Sequence, residues 1–88
     1  MNIQHEQGEK GGVFFLTDAD NQRVAELTYY FVDPNTINAN HTYVSESLRG
    51  QGVADKLYGA LRAFITERQL TLIPGCSYIA KKWEKETR

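Results

Sequence analysis

The hydrophobic period of this chain changes once, from two to 3.6, across a short joint that contains two glycines. From Arg23 to Val32, Ala25, Leu27, Tyr29 and Phe31 alternate with Glu26, Thr28 and Tyr30, the pattern of a half-buried strand that turns Tyr29 inward. After a turn at Asp33, Pro34 and Asn35, the residues Ile37, Ala39, His41 and Tyr43 alternate with Asn38, Asn40 and Thr42 in a second such strand ending near Val44. Beyond the joint, Val53, Ala54, Leu57, Tyr58, Leu61, Phe64 and Ile65 recur at three- and four-residue spacings, which predicts a long amphipathic helix. Strands followed by a helix of crossover length exclude an all-α or all-β fold.

The flanking segments complete the pattern. Val13 to Thr17 is a short apolar strand, set off by turn residues Asp18, Ala19, Asp20 and Asn21. Residues 1–12 carry charge and three glycines and read as a mobile lead or a short edge strand, ahead of a single domain over 13–88. Thr71 to Ile73 is a β-rich run stopped by Pro74 and Gly75, and Tyr78 to Glu86 reads as a second helix with Ile79 and Trp83 one turn apart. The expected order is βββαβα, an α+β fold with a mostly antiparallel sheet. The long helix connects two strands by a crossover and so makes that one pair parallel.

At 88 residues there is room for one core only. Ten basic residues against eleven acidic ones leave a net charge of -1, which argues against nucleic acid or an anionic membrane as partner. One cysteine and two histidines without metal-ligand spacing argue against a bound metal, and the lone cysteine and the absence of an apolar leader favour a reducing, cytoplasmic setting.

The joint itself, Ser45 to Leu57, is where chemistry is expected. Gly50 and Gly52 let the backbone curl so that several N–H groups face one way, the helix dipole adds to their pull on a phosphate, and Arg49 supplies a cation. The same glycines also suit a plain tight connection. Asp55 stands where a dinucleotide fingerprint needs glycine, and no Gly-Lys-Ser/Thr is present for a P-loop.

Arg49-Gly50-Gln51-Gly52-Val53-Ala54 resembles the R/Q-x-x-G-x-G/A signature of the Gcn5-related N-acetyltransferases. With Ala25-Glu26-Leu27 and Tyr29, His41-Thr42-Tyr43-Val44, and Pro74-Gly75-Cys76-Ser77-Tyr78 with Trp83, the chain looks like the very small, YjdJ-like members of that superfamily over residues 13–86. The resemblance implies a minimal acyl-coenzyme A N-acyltransferase fold whose parallel strands splay apart, here after Val44 and Ile73, to admit the pantetheine arm. It implies acetyl-CoA as co-substrate, held at its pyrophosphate by Arg49, Gly50, Gln51, Gly52, Val53 and Ala54 and at its pantetheine arm by the Val44 backbone. The amino-terminal helices and last strands of larger members are missing, and with them the residues that would name the acceptor amine.

Cys76 falls at the expected start of the last helix, where the dipole, with Lys81 or Lys82, would favour the nucleophilic thiolate; a small buried hydrophobe is the alternative. In the resembling family the matching cysteine is the favoured catalytic residue, as acetyl-accepting nucleophile or as a polar participant in direct transfer. His41, expected on the core face with Ile37, Ala39 and Tyr43, is either a packed core histidine or a base for Cys76 or the acceptor ammonium. Tyr78 is either a proton donor to the departing thiolate or a ring packed on the sheet, and His5 is a solvated residue of the lead. The expected function is acetyl transfer from acetyl-CoA to an amine, small or on a protein. The alternatives are a coenzyme A-binding module with little catalysis and an adaptor that uses its open edge strand.

Overall fold

A computed structural model describes residues 3–87, in which five strands form one sheet in sequence order. The strands are β1 (Gln4–Gln7), β2 (Gly11–Thr17), β3 (Arg23–Asp33), β4 (Thr36–Val44) and β5 (Thr71–Ile73); the helices are α1 (Val53–Arg68), between β4 and β5, and α2 (Ser77–Thr87). The first three pairings are antiparallel. The crossover through α1 makes β4 and β5 parallel, with Thr36, Ile37 and Asn38 opposite Thr71, Leu72 and Ile73. β5 stops there because Pro74 has no N–H to continue the ladder, while β4 runs on to Val44. Past Asn38 the two chains therefore part. Of the two readings of the lead, mobile segment or edge strand, the structure has the strand: β1.

One face of the sheet carries the core. Leu16, Ala25, Leu27, Tyr29, Ile37 and Ala39 meet Val53, Leu57, Tyr58, Leu61, Phe64 and Ile65 of α1 and Ile79 of α2. The two helices are joined on that face: Tyr58 Oη donates to Glu86 at 3.0 Å, Arg62 pairs with the same carboxylate, and the Arg62 guanidinium lies 4.9 Å from the centre of the Trp83 ring. On the opposite face Phe15 is covered by the Arg23 guanidinium at 4.1 Å, and Tyr30, His41 and Tyr43 are exposed.

The facing of His41 and Tyr43 corrects the sequence expectation. Thr28 pairs with His41 but Tyr29 pairs with Ala39, so Asn40 is an extra residue on β4. Such a bulge shifts the two-residue alternation by one position. Ile37 and Ala39 point into the core, with no exposure; beyond the bulge Thr42 and Val44 are half-buried, His41 is exposed and Tyr43 is 45% exposed. His5 stays exposed, as expected of the lead, but it is not without partners. Its ring stacks on Phe14 with centroids 4.1 Å apart, and its Nε2 lies 2.7 Å from Tyr29 Oη, tying β1 to the core aromatics.

Candidate functional site

The joint after β4 is built to leave donors open. Ser45 N–H bonds Val24 C=O at 2.8 Å, which holds the strand end, and a 3-10 turn follows at Glu46–Leu48. Gly50 and Gly52 then take φ of 83° and 74°, a left-handed backbone that side-chain-bearing residues rarely adopt. Gly52 caps α1 without a side-chain hydrogen bond, and the first helical bond is Lys56 N–H to Gly52 C=O at 3.1 Å. The N–H groups of Val53, Ala54 and Asp55 thus have no acceptor within the helix, and the dipole concentrates partial positive charge there. A Cβ at Gly50 or Gly52 would meet nothing within 4 Å, so the surface over both is open.

Beside these donors lies a cleft of about 230 Å3 lined by Val44, Leu48, Arg49, Gly50, Gly52, Val53, Ala54, Asp55 and Tyr78. It gathers six of the seven residues expected to hold the cofactor, the exception being Gln51, whose side chain turns back to Ser47 C=O at 3.2 Å and whose N–H bonds Leu48 C=O at 3.3 Å. Because Ser45 donates toward β3, the antiparallel ladder turns the N–H and C=O of Val44 the other way, into the gap between β4 and α2. Arg49 reaches that carbonyl through Nε at 3.3 Å and so lies across the mouth. The far wall is ionic. Asp55 accepts from Tyr78 Oη and pairs with Lys82 Nζ at 2.7 Å. Hydrogen bonds from Lys82 and Tyr78 hold its carboxyl below the usual range, and burial together with the Asp55 carboxylate pushes the Tyr78 phenol well up.

Cys76 occupies the N-cap position of α2, since its C=O accepts from Ala80 N–H at 2.8 Å. Its sulfur stands where a capping oxygen would, within hydrogen-bond reach of the N–H groups of Tyr78 and Ile79, and lies 3.6 Å from Thr42 Oγ1. Thr42, like Val44, turns its backbone N–H into the gap, and that N–H also reaches the sulfur. Burial pushes the thiol up, but the Thr42 hydroxyl and the N–H groups of Ile79, Tyr78 and Thr42 outweigh it, and the net shift is downward. The loop is held close by Gly75, where a Cβ would stand 2.0 Å from Asn38 Oδ1, a buried oxygen without a donor among the described residues.

The geometry brings Cys76 to Thr42 and does not bring it to His41, which the bulge turns to the other face. Of Lys81 and Lys82, the two alternative activators of Cys76, Lys82 is on Asp55 instead. Thr42 and Asp55 had no signal of their own in the sequence: a threonine in a β-run reads as propensity and an aspartate in a first helical turn as dipole complement.

Comparisons with known proteins bear on the family and the fold. The chain is 37% identical over 57 residues to Protein NATD1 of Xenopus tropicalis, a match covering 65% of this chain and 52% of that protein, so it spans about half the length of that relative. It is 28% identical over 81 residues to Protein NATD1 of Danio rerio, covering 92% of this chain and 72% of that one. Its structure is similar to the NMR solution structure of a GCN5-like protein from Staphylococcus aureus, with TM-score 0.73, 44% identity and coverage of 97% and 81%. It shares the fold of a GNAT family acetyltransferase from Elizabethkingia anophelis with acetyl-CoA bound, with TM-score 0.67, 12% identity and coverage of 98% and 72%. Residues 13–88 match the family described as GCN5-related N-acetyl-transferase, and the chain, with its parted parallel strands and its glycine joint, belongs to that family.

Proposed function

We propose that this protein transfers an acetyl group from acetyl-CoA to an amine. The observation that carries the proposal is the N-terminus of α1, without a side-chain cap and opened by Gly50 and Gly52 onto the cleft at the parted end of β4. A diphosphate suits that place: the amides of Val53 and Ala54 would donate to it and Arg49 would pair with it. Gln51 would act through the backbone turn it helps to form. The pantetheine arm would run along the gap beside β4, with the Val44 N–H and C=O as its partners once Arg49 swings to the phosphates.

That path leads the thioester toward Cys76. In the covalent route the Cys76 thiolate attacks the acetyl carbonyl, the carbon–sulfur bond to coenzyme A breaks, and coenzyme A leaves as thiolate and takes a proton from water. The acceptor amine then attacks the Cys76 thioester, loses its extra proton to solvent and returns the thiolate. In the direct route the amine attacks acetyl-CoA itself, with Cys76 and Thr42 as polar neighbours; alignment supplies much of the rate in either case. The proposal gives Cys76 the catalytic role and gives His41, on the opposite sheet face, none. A second reading, a coenzyme A-binding module without efficient transfer, is favoured by that same facing, which leaves Cys76 with hydroxyl and amide neighbours and no imidazole.

Titration with acetyl-CoA tests the proposal. The wild type binds, and Gly52→Val, forced into a left-handed backbone, loses at least about tenfold in affinity while remaining folded by circular dichroism. Unchanged affinity in that variant would remove the joint from the site. Intact mass after an acid quench separates the routes: one acetyl group on Cys76, absent in Cys76→Ala, marks the covalent one. Binding without acetyl transfer to any of a broad panel of amines would favour the binding module.

A further inference from the structure

Asp55 stands in an awkward position for the site just proposed, on which this inference rests. It is the third residue of α1 and lines the same cleft as Gly50 and Gly52. A carboxylate in a first helical turn favours its own helix. It also adds a negative charge beside the donors that would receive a diphosphate, and like charges a few ångströms apart repel. The fold answers this from α2: Lys82 Nζ lies 2.7 Å from Asp55 Oδ1, Tyr78 Oη donates to the same oxygen, and the charge of Lys85 also acts on the carboxylate.

We propose that Lys82 is a positioning residue that neutralises Asp55 and so lets the α1 N-terminus accept the diphosphate of coenzyme A. Asp55 itself remains useful because it fixes the Tyr78 ring against the cleft wall. Lys82 thus acts through Asp55, and its value to binding exists only while Asp55 is charged. The two side chains are partly exposed, 57% for Asp55 and 35% for Lys82, so salt screens the effect.

The dependence on Asp55 gives the test. Coenzyme A is titrated calorimetrically into wild type, Lys82→Arg, Lys82→Met, Asp55→Asn and the Lys82→Met/Asp55→Asn double variant, at low and at high salt. Lys82→Met is expected to weaken binding about three- to tenfold at low salt, less at high salt, and Lys82→Arg to stay near wild type. Asp55→Asn binds as well as wild type or better. The double variant recovers wild-type affinity although it has no ion pair. A merely structural pair predicts the reverse, since the double variant would still lack the link between α1 and α2. Equal affinity of Lys82→Met and wild type, or failure of the double variant to recover, overturns the proposal. If Lys82→Met does not fold, weakened binding by Asp55→Asn alone overturns it. A wild type that does not bind coenzyme A removes the site itself, and the inference with it, an outcome distinct from both of these.

Discussion

Besides its ladder to β2, one titratable ring ties β1 to the core. His5 stacks on Phe14 and meets Tyr29 Oη, and burial, followed by the nearby charge of Arg68, holds its pKa below the ordinary value of 6.5. Its folded pKa is thus lower than its unfolded one, so the unfolded chain takes up the proton first as pH falls. The His5 contribution is complete above about pH 6.5 and declines as pH drops through the folded pKa. His5→Phe keeps a ring on Phe14 and cannot titrate. Melting temperatures between about pH 7 and 5 are expected to fall less steeply for His5→Phe than for wild type; parallel slopes would show that the ring's charge has no part in holding β1.

Among the elements, the loop from β5 to α2 sets the site most narrowly. Gly75 lets the backbone pass Asn38 where a Cβ would stand 2.0 Å from its Oδ1 and 3.3 Å from Ala39 C=O. Gly75→Ala is therefore expected to lose about 1–3 kcal/mol by overpacking. Most of that loss returns in Gly75→Ala/Asn38→Ala, where the obstructing side chain is shortened, and chemical denaturation of both variants checks it. The placement of this loop was legible in the sequence, since Pro74 and Gly75 mark the end of a strand. The period-two runs of β3 and β4, the period of α1 and the glycine joint were legible too, because each repeats one physical rule over many residues. The bulge at Asn40 was not. His and Tyr are accepted on either face of a strand, so alternation through His41 and Tyr43 continues unbroken in the sequence while the backbone has already changed sides. Without the bulge there was no reason to set Thr42 rather than His41 against Cys76, and the Asp55–Lys82 pair depends on how α2 lies over α1, which no local pattern encodes.

At the scale of the molecule, one sheet face carries both helices and nearly all the apolar burial. Leu61, fully buried between α1 and the sheet, has no second layer behind it to share a loss. Leu61→Ala is expected to cost about 2–5 kcal/mol, a large part of the roughly 5–15 kcal/mol available to a domain. Urea denaturation reads it directly, and a loss under 1 kcal/mol would mean that the core closes over the gap. The same one-sidedness makes α2 both a wall of the core, through Ile79, and a carrier of the candidate site, through Tyr78, Lys82 and the Cys76 just before it. The sulfur of Cys76 also stands at the start of that helix, within hydrogen-bond reach of its first free amides. An acyl group or an alkylating reagent on that sulfur would weaken it as a partner for those amides. In the proposed covalent route, loading that sulfur would therefore loosen this wall and discharge would close it again, a mechanical cycle driven by a single atom.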